Sequence, residues 1–133
     1  MRRAIWSLSV LILLSAGCKE SPIRPGEPVT MTFSGTVNVG GLLSHTFTSD
    51  RRGIATAVLT WASGGVDLDF YVTDASCTTN PFDPNCPTRV FADAASGTTE
   101  RLIFGVVNAE NLKLWVSHFA GGSQNYTINL TIE

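Results

Sequence analysis

The sequence predicts an all-β protein, a single antiparallel β-sandwich of about eight strands with a jelly-roll-like layout. Three observations predict it. From residue 29 onward apolar residues recur at every second position, the period of a half-buried strand. Runs of this kind return at a spacing of roughly ten residues with Gly, Asp, Asn and Pro between them, the rhythm of two packed antiparallel sheets. No stretch of the same region carries a helical period of useful length.

The elements follow in order. VTMTFSGTV (29–37) sets Val29, Met31 and Phe33 against Thr30, Thr32 and Ser34. SHTFTS (44–49) and IATAVLTWA (54–62) come next, bounded by Gly40-Gly41 and by Asp50-Arg51-Arg52-Gly53. VDLDFYVTD (66–74) runs into the loop CTTNPFDPNC, which is followed by TRVFADA (88–94), ERLIFGVV (100–107), LKLWVSH (112–118) and NYTINLTIE (125–133). The last alternates most cleanly, with Tyr126, Ile128, Leu130 and Ile132 on one face and Asn125, Thr127, Asn129 and Thr131 on the other. The expected core is Phe33, Phe47, Leu59, Leu68, Phe70, Val72, Leu102, Phe104, Leu114, Val116, Tyr126, Ile128 and Leu130.

The N-terminal segment is of a different kind. Two arginines precede an apolar stretch from Ala4 to Leu14 and small residues ending at Cys18, the pattern of an export signal. The stretch is well short of the roughly 20 residues that span a bilayer. Ser15-Ala16-Gly17-Cys18 resembles the lipobox of bacterial lipoproteins, with Ser15 where leucine is usual. That resemblance implies cleavage before Cys18, lipidation of its thiol and attachment to a membrane of the cell envelope; ordinary cleavage after the small residues is the alternative. Lys19 after the cysteine, rather than an aspartate, points by analogy with enterobacterial sorting to the outer membrane. The organisation is then a signal peptide (1–17), a lipidated Cys and Pro-rich tether (18–28) and one domain (29–133). Without Arg2 and Arg3 seven basic residues face eleven acidic ones, a formal charge of −4, and with no basic stripe nucleic acid is not an expected partner. In an exported chain Cys77 and Cys86 are expected to pair as a disulfide, since a zinc site would need further soft ligands that the neighbourhood lacks.

FSGTVNVGG (33–41), HTFTS (45–49), ATAVLTWASGGVDLDFYVTD (55–74) and GGSQNYTINLTIE (121–133) together resemble the bacterial pre-peptidase C-terminal (PPC) domain, over about residues 32–133. The segment from Trp61 to Asp74 is the most specific part, because the family commonly runs a strand, a small-residue turn and then Asp-Leu-Asp-Leu-Tyr. Asn111-Leu112-Lys113-Leu114-Trp115 departs from the family's glycine-tyrosine step, and the loop between the cysteines is an addition. The resemblance implies a β-sandwich with an accessory role; it does not imply an activity.

Asp67 and Asp69 are the obvious candidates for chemistry. Residues i and i+2 of a strand share a face, so Leu68, Phe70 and Val72 point one way and Asp67, Asp69 and Tyr71 the other, expected to be the solvent side. A catalytic acid would need an apolar cleft or a close like charge, and nothing in the sequence marks one, so no enzyme is expected. Calcium is the one cofactor to consider, with Asp67, Asp69 and Asp74 as its candidate ligands. His45 and His118 lack metal-ligand spacing and read as structural or solvent-facing. On LKLWVSHF, Leu112, Leu114 and Val116 take one face and Trp115 and Phe119 the other. If that face is open, Trp115, Phe119 and Tyr71 form a platform for a protein or polysaccharide partner; otherwise Trp115 packs under the cysteine loop or between sheets. The expected function is non-catalytic binding at the cell envelope, with a purely structural surface lipoprotein as the alternative and a glycan-acting enzyme using Asp67 and Asp69 at the margin.

Overall fold

A computed structural model of the protein describes residues 26–86, 88–92 and 97–133. Cys18 and the signal segment lie outside them, as does the tether up to Pro25. Eight strands are present: β1 (Val29–Val37), β2 (Leu42–Thr48), β3 (Gly53–Trp61), β4 (Asp67–Asp74), β5 (Val90–Ala92), β6 (Thr99–Val106), β7 (Asn111–Ala120) and β8 (Gln124–Ile132). They form two four-stranded antiparallel sheets with the orders β1-β8-β3-β6 and β2-β7-β4-β5. Successive strands alternate between sheets from β1 to β4, and the last strand returns between β1 and β3. This is the jelly-roll arrangement, and the all-β sandwich expected from the alternation is the fold.

The inner faces meet in one core. Leu59, Leu68, Phe70, Val72, Leu114, Val116, Ile128 and Leu130 are fully buried in it, with Phe47, Leu102, Phe104 and Tyr126 nearly so and Phe33 packed against its edge. Each fully buried aliphatic side chain of this size contributes roughly 1.5–3 kcal/mol. β1 has the expected limits, and those of the other strands differ from expectation by no more than two residues. β2 starts early, at Leu42, because the Gly40 and His118 backbones pair and extend the ladder into the β1–β2 turn. β5 covers Val90–Ala92 among the described residues, and just before it the Arg89 amide donates to the Val72 carbonyl at 2.8 Å while its guanidinium pairs with Asp74 and Glu110, both at 2.6 Å.

The two ends of the sandwich are unlike. The chain enters β1 beside the β2–β3 turn, where Arg51 donates to the carbonyl of Glu27 at 2.6 Å, and the C-terminal Glu133 pairs with Ile54 at the same end. The opposite end carries the β1–β2 turn and the β7–β8 turn. There Gly121, at φ +109°, lies so close to the β3–β4 connection that a Cβ would come within 2.8 Å of Val66.

A polar contact crosses between the sheets. His45 of β2 and Tyr126 of β8 are hydrogen-bonded, Nε2 to Oη at 2.8 Å, with Phe33 against the imidazole and Gly35 leaving room for the phenol. Burial pushes the Tyr126 hydroxyl up to about 12, so it stays protonated, and burial also lowers the His45 imidazole below its ordinary value. A histidine lowered on folding binds its proton more readily when unfolded. Stability is therefore expected to fall as pH drops below about 6.5 toward the folded-state value. Urea midpoints between about pH 7.5 and about pH 5 should decline for the native chain and flatten in His45→Gln, before the carboxylates held low in the fold begin to protonate.

Candidate functional site

The outer face of the β2-β7-β4-β5 sheet departs from a plain sandwich. All six residues of β4 between Asp67 and Asp74 are buried, although only Leu68, Phe70 and Val72 face the core. The cover is the segment that links β4 to β5, which folds back across the sheet. The Cys77–Cys86 disulfide closes it, with the two Cα atoms 5.2 Å apart. Its Pro and Asn residues do not leave it loose. Asn80 accepts from the Phe82 amide at 2.9 Å, Asp83 accepts from the Asn85 amide at 2.8 Å and from the Thr79 hydroxyl at 2.9 Å, and Thr88 donates to the Pro81 carbonyl at 2.7 Å. The Asn85 amide, with Thr79, holds the Asp83 carboxyl below the usual range. Short side chains that capture their own backbone order the loop from within.

Under the loop Tyr71, Trp115 and both cysteines make a second apolar cluster with Leu42 at its edge. Trp115 is 5 % exposed, and its indole N–H donates to Thr73 Oγ1 at 2.9 Å. Lys113 lies 5.1 Å from the indole centroid and donates to the Cys77 carbonyl. Tyr71 is 8 % exposed. The open platform of Trp115 and Tyr71 is thus corrected: the loop occupies it.

Three phenylalanines are what this face presents instead. Phe119, 55 % exposed, is joined by Phe82 at the loop tip and Phe91 on β5, both also more than half exposed. Phe91 stacks at 6.1 Å on Tyr71, Phe82 meets Tyr71 edge-on at 5.1 Å, and Phe82 and Phe119 are 6.4 Å apart. Phe119 owes its position to a bulge. Asp67 pairs with Ala120 and Leu68 with His118, so β7 carries one extra residue there and Phe119 has no partner on β4.

Beside Phe119 lies a cavity of about 290 Å³, walled by the β1–β2 turn at Val39–Gly41, by Leu42 and Phe82, and by β7 from Ser117 to Phe119. Leu42, Ser117 and Asp69 are register partners across β2, β7 and β4 and share one face. Phe82, in contact with both Tyr71 and Phe119, bridges over the Ser117–Asp69 step. Ser117 is 4 % exposed, and its hydroxyl has no hydrogen-bond partner among the described residues. The same holds for both ring nitrogens of His118, buried at the end of the core.

The acids are not where the alternation put them. Asp69 is 6 % exposed rather than solvated, and its Oδ2 accepts a hydrogen bond from Tyr71 Oη at 2.8 Å. Asp67 is half-buried at the strand end. Asp74 stands at the far end of β4, spent on Arg89. The three candidate calcium ligands therefore do not converge, and among the described residues no three carboxylate, histidine or cysteine side chains are grouped for a metal. Phe82, Phe91 and Ser117 were not singled out by sequence reasoning. Phe82 had a signal: a lone aromatic in a polar ten-residue loop closed by a disulfide has no core of its own to enter.

No family model matches the sequence, and none of the curated proteins does. The fold has solved counterparts. The Yersinia pseudotuberculosis-derived mitogen is similar with a TM-score of 0.59 at 14 % identity, over 80 % of this chain and 88 % of that one. The pre-peptidase C-terminal domain of the Bacillus anthracis collagenase gives 0.56 at 15 % identity, over 77 % and 89 %. A periplasmic inhibitor of g-type lysozyme from Aeromonas hydrophila gives 0.55 at 11 % identity, over 78 % and 86 %. The domain thus has a PPC-like β-sandwich fold.

Reducing the disulfide should release the cover. The expected loss is roughly 2–3 kcal/mol on a chain-entropy estimate, with a red shift in the emission of Trp115 as water reaches the indole. Comparison with Trp115→Phe isolates that signal from Trp61, which stays in the core; an unshifted Trp115 would mean that the loop holds without its bond.

Proposed function

We propose that this chain is a lipid-anchored protein of the bacterial cell envelope, attached at Cys18 to the outer membrane, whose domain is a non-catalytic binding module. Its partner on this reading is a protein, gripped by Phe82, Phe91 and Phe119. The exposure of these three rings on one face carries the reading. An aromatic group of this size is costly to leave in water, and aromatic side chains are the residues on which protein interfaces concentrate their energy.

Phenylalanine offers no hydrogen bond to a sugar, and Phe82 meets Phe119 at 70°, so the two rings make no flat stacking surface. That favours a protein over a polysaccharide here. A polymer has a better place on the other sheet, whose outer face carries Thr30, Thr32, Ser34 and Thr36 in register with Thr131, Asn129, Thr127 and Asn125. A non-catalytic reading is in keeping with Asp69, which lies beneath the loop and accepts a hydrogen bond from Tyr71 instead of standing at an open cleft. The similar structures include a lysozyme inhibitor and an accessory domain of a collagenase, which makes g-type lysozyme and collagen reasonable first partners to try.

The anchor and the face are suitably disposed. The chain enters β1 at one end of the sandwich, while Val39–Gly41 and Phe119 lie toward the other, so a tether at Cys18 would leave the cavity pointing away from the membrane.

Two experiments test this. Cys18→Ser should move the protein from the membrane fraction to the soluble one with its fold intact; retention in the membrane would reject the lipid anchor. A photo-cross-linking residue at position 119 should give discrete protein adducts in intact cells, and one at Thr30 should not. Protease-resistant glycan adducts, or none at position 119, would reject the protein partner.

A further inference from the structure

We propose that β1 is a dimerisation edge: two copies of this chain pair their β1 strands antiparallel about Phe33 and join their β1-β8-β3-β6 sheets into one.

The two edges of the sandwich are unlike. β6 carries the inward-turned Glu100 and the exposed Arg101, and β5, beside it in the other layer, follows directly on Arg89. Charges of this kind keep a sheet edge from adding strands. β1 has no such guard. Its nine residues, VTMTFSGTV, include no charge and no proline, and β2, beside it in the other layer, adds no Lys, Arg, Asp or Glu. The ladder to β8 runs from Val29↔Ile132 to Val37↔Gln124 without a bulge, so the outer side of β1 is as regular as the inner one. Among the described residues the β1 backbone bonds only to β8, which leaves a row of N–H and C=O groups on the open side. The core is also incomplete here. Ile128, Leu130 and Ile132 are fully buried, while their register partners Phe33, Met31 and Val29 are only partly so.

What selects a second copy is the order of residues. Read from its two ends toward Phe33, β1 runs Val-Thr-Met-Thr and Val-Thr-Gly-Ser. An antiparallel pairing centred on Phe33 therefore sets Val29 against Val37, Thr30 against Thr36, Met31 against Gly35 and Thr32 against Ser34, with Phe33 against its own counterpart. Core-side residues meet core-side residues and hydroxyls meet hydroxyls, the kind of pair that stabilises antiparallel strands. A slip by one residue would set hydroxyls against the core side, and a slip of the dyad to Thr32 or Ser34 would pair seven residues instead of nine. The one unequal pair is matched in shape. Gly35 must stay bare, because a Cβ there would lie 2.6 Å from Tyr126 Oη, and Met31, a long and flexible side chain, stands opposite the residue that has none. No like charges are brought together. The edge is self-complementary, as an isologous two-fold interface requires. Its dyad stands perpendicular to the joined sheet, so both copies turn their phenylalanine faces to the same side.

Nine residues a side is below the roughly 20–30 of a standard interface, so the association is weak and a covalent trap is the suitable readout. The test is disulfide trapping between purified full-length chains at high concentration in mild detergent. Across the proposed pair Thr32 faces Ser34 of the second copy with Cα atoms about 4.5–5.5 Å apart, within the span of a disulfide, whereas each lies about 7–8 Å from its own counterpart, beyond it. A mixture of Thr32→Cys and Ser34→Cys chains should oxidise to a mixed dimer, and neither variant alone should dimerise, with the unsubstituted chain as the blank for Cys18. Charge gives a second reading. Thr30→Lys with Thr36→Lys, added to both chains, should lower the yield of mixed dimer about tenfold relative to Thr30→Lys with Thr36→Glu, which puts opposite charges in the same two pairs. All four positions are exposed, so folding is spared in every variant. Dimers from Thr32→Cys or Ser34→Cys alone would place the dyad elsewhere, no mixed dimer would leave β1 unpaired, and a mixed dimer indifferent to the charges would be a chance collision; each overturns the proposal. In intact cells a cross-linker at position 30 should still give no adduct with a foreign protein, and its one product should be the dimer of this chain.

Discussion

The closure of the ten-residue segment from Cys77 to Cys86 is the constraint on which the outer face of the β2-β7-β4-β5 sheet depends. A strand in a two-layer sandwich has one dry side and one wet side. Here the loop is held short by its disulfide and stiff by Asn80 and Asp83, so it returns over β4 and β7 instead of extending into solvent. Everything on the outer face follows. Trp115 and Tyr71 become a second small core, Asp69 is drawn out of water, and Phe82, at the loop tip, is placed against Phe119. The loop thus converts polar and aromatic residues that would have been a solvated surface into a shaped one.

The energetic logic of that surface is mixed in an informative way. Trp115 and Tyr71 satisfy their polar tips within the cover, on Thr73 and Asp69, as buried rings of these types must. Lys113 spends its charge on the Cys77 carbonyl and the indole face, so the loop is tied down at its base as well as across its neck. Ser117 is the exception. It lies in the same row as Asp69 and Leu42, inside the covered region, yet its hydroxyl goes unused by the described chain. Buried hydroxyls without partners are rare enough in folded proteins that each asks for a reason, and one at the wall of a cavity has an obvious one.

Alternation made the eight strands, the antiparallel sandwich and nearly all of the core legible in the sequence, because period-two burial reports which residues share a face. It cannot report what covers the other face. Asp67-Leu68-Asp69-Phe70-Tyr71 reads as apolar-in and polar-out, and the inward half of that reading holds. The outward half fails at Asp69 and Tyr71 because the cover comes from a segment several residues later whose path no periodicity encodes. Trp115 misleads for the same reason, and the reading in which it packs under the cysteine loop is the one that matches. Phe119 was legible as outward-facing, but the bulge that leaves it unpaired on β4 is a property of register, which a single strand's sequence does not carry.

The two outer faces of the sandwich differ in character. The β1-β8-β3-β6 sheet turns rows of Thr, Ser and Asn to water, with Thr32 and Thr36 donating to Asn129 and Asn125 at 3.0 and 2.6 Å, so its polar groups satisfy one another across the strands. Beside these rows the same face exposes Ile54 and Ile103. The other sheet has the covered Asp69, the exposed phenylalanines and the cavity beside Phe119, all on the side where the loop lies. The core between the sheets contains no residue of the loop, while the covered cluster and the position of Phe82 depend on it. A change in the loop that spares both cysteines would therefore reshape the outer face of this sheet while leaving the core between the sheets intact, so on the reading proposed above it would alter binding before it altered folding.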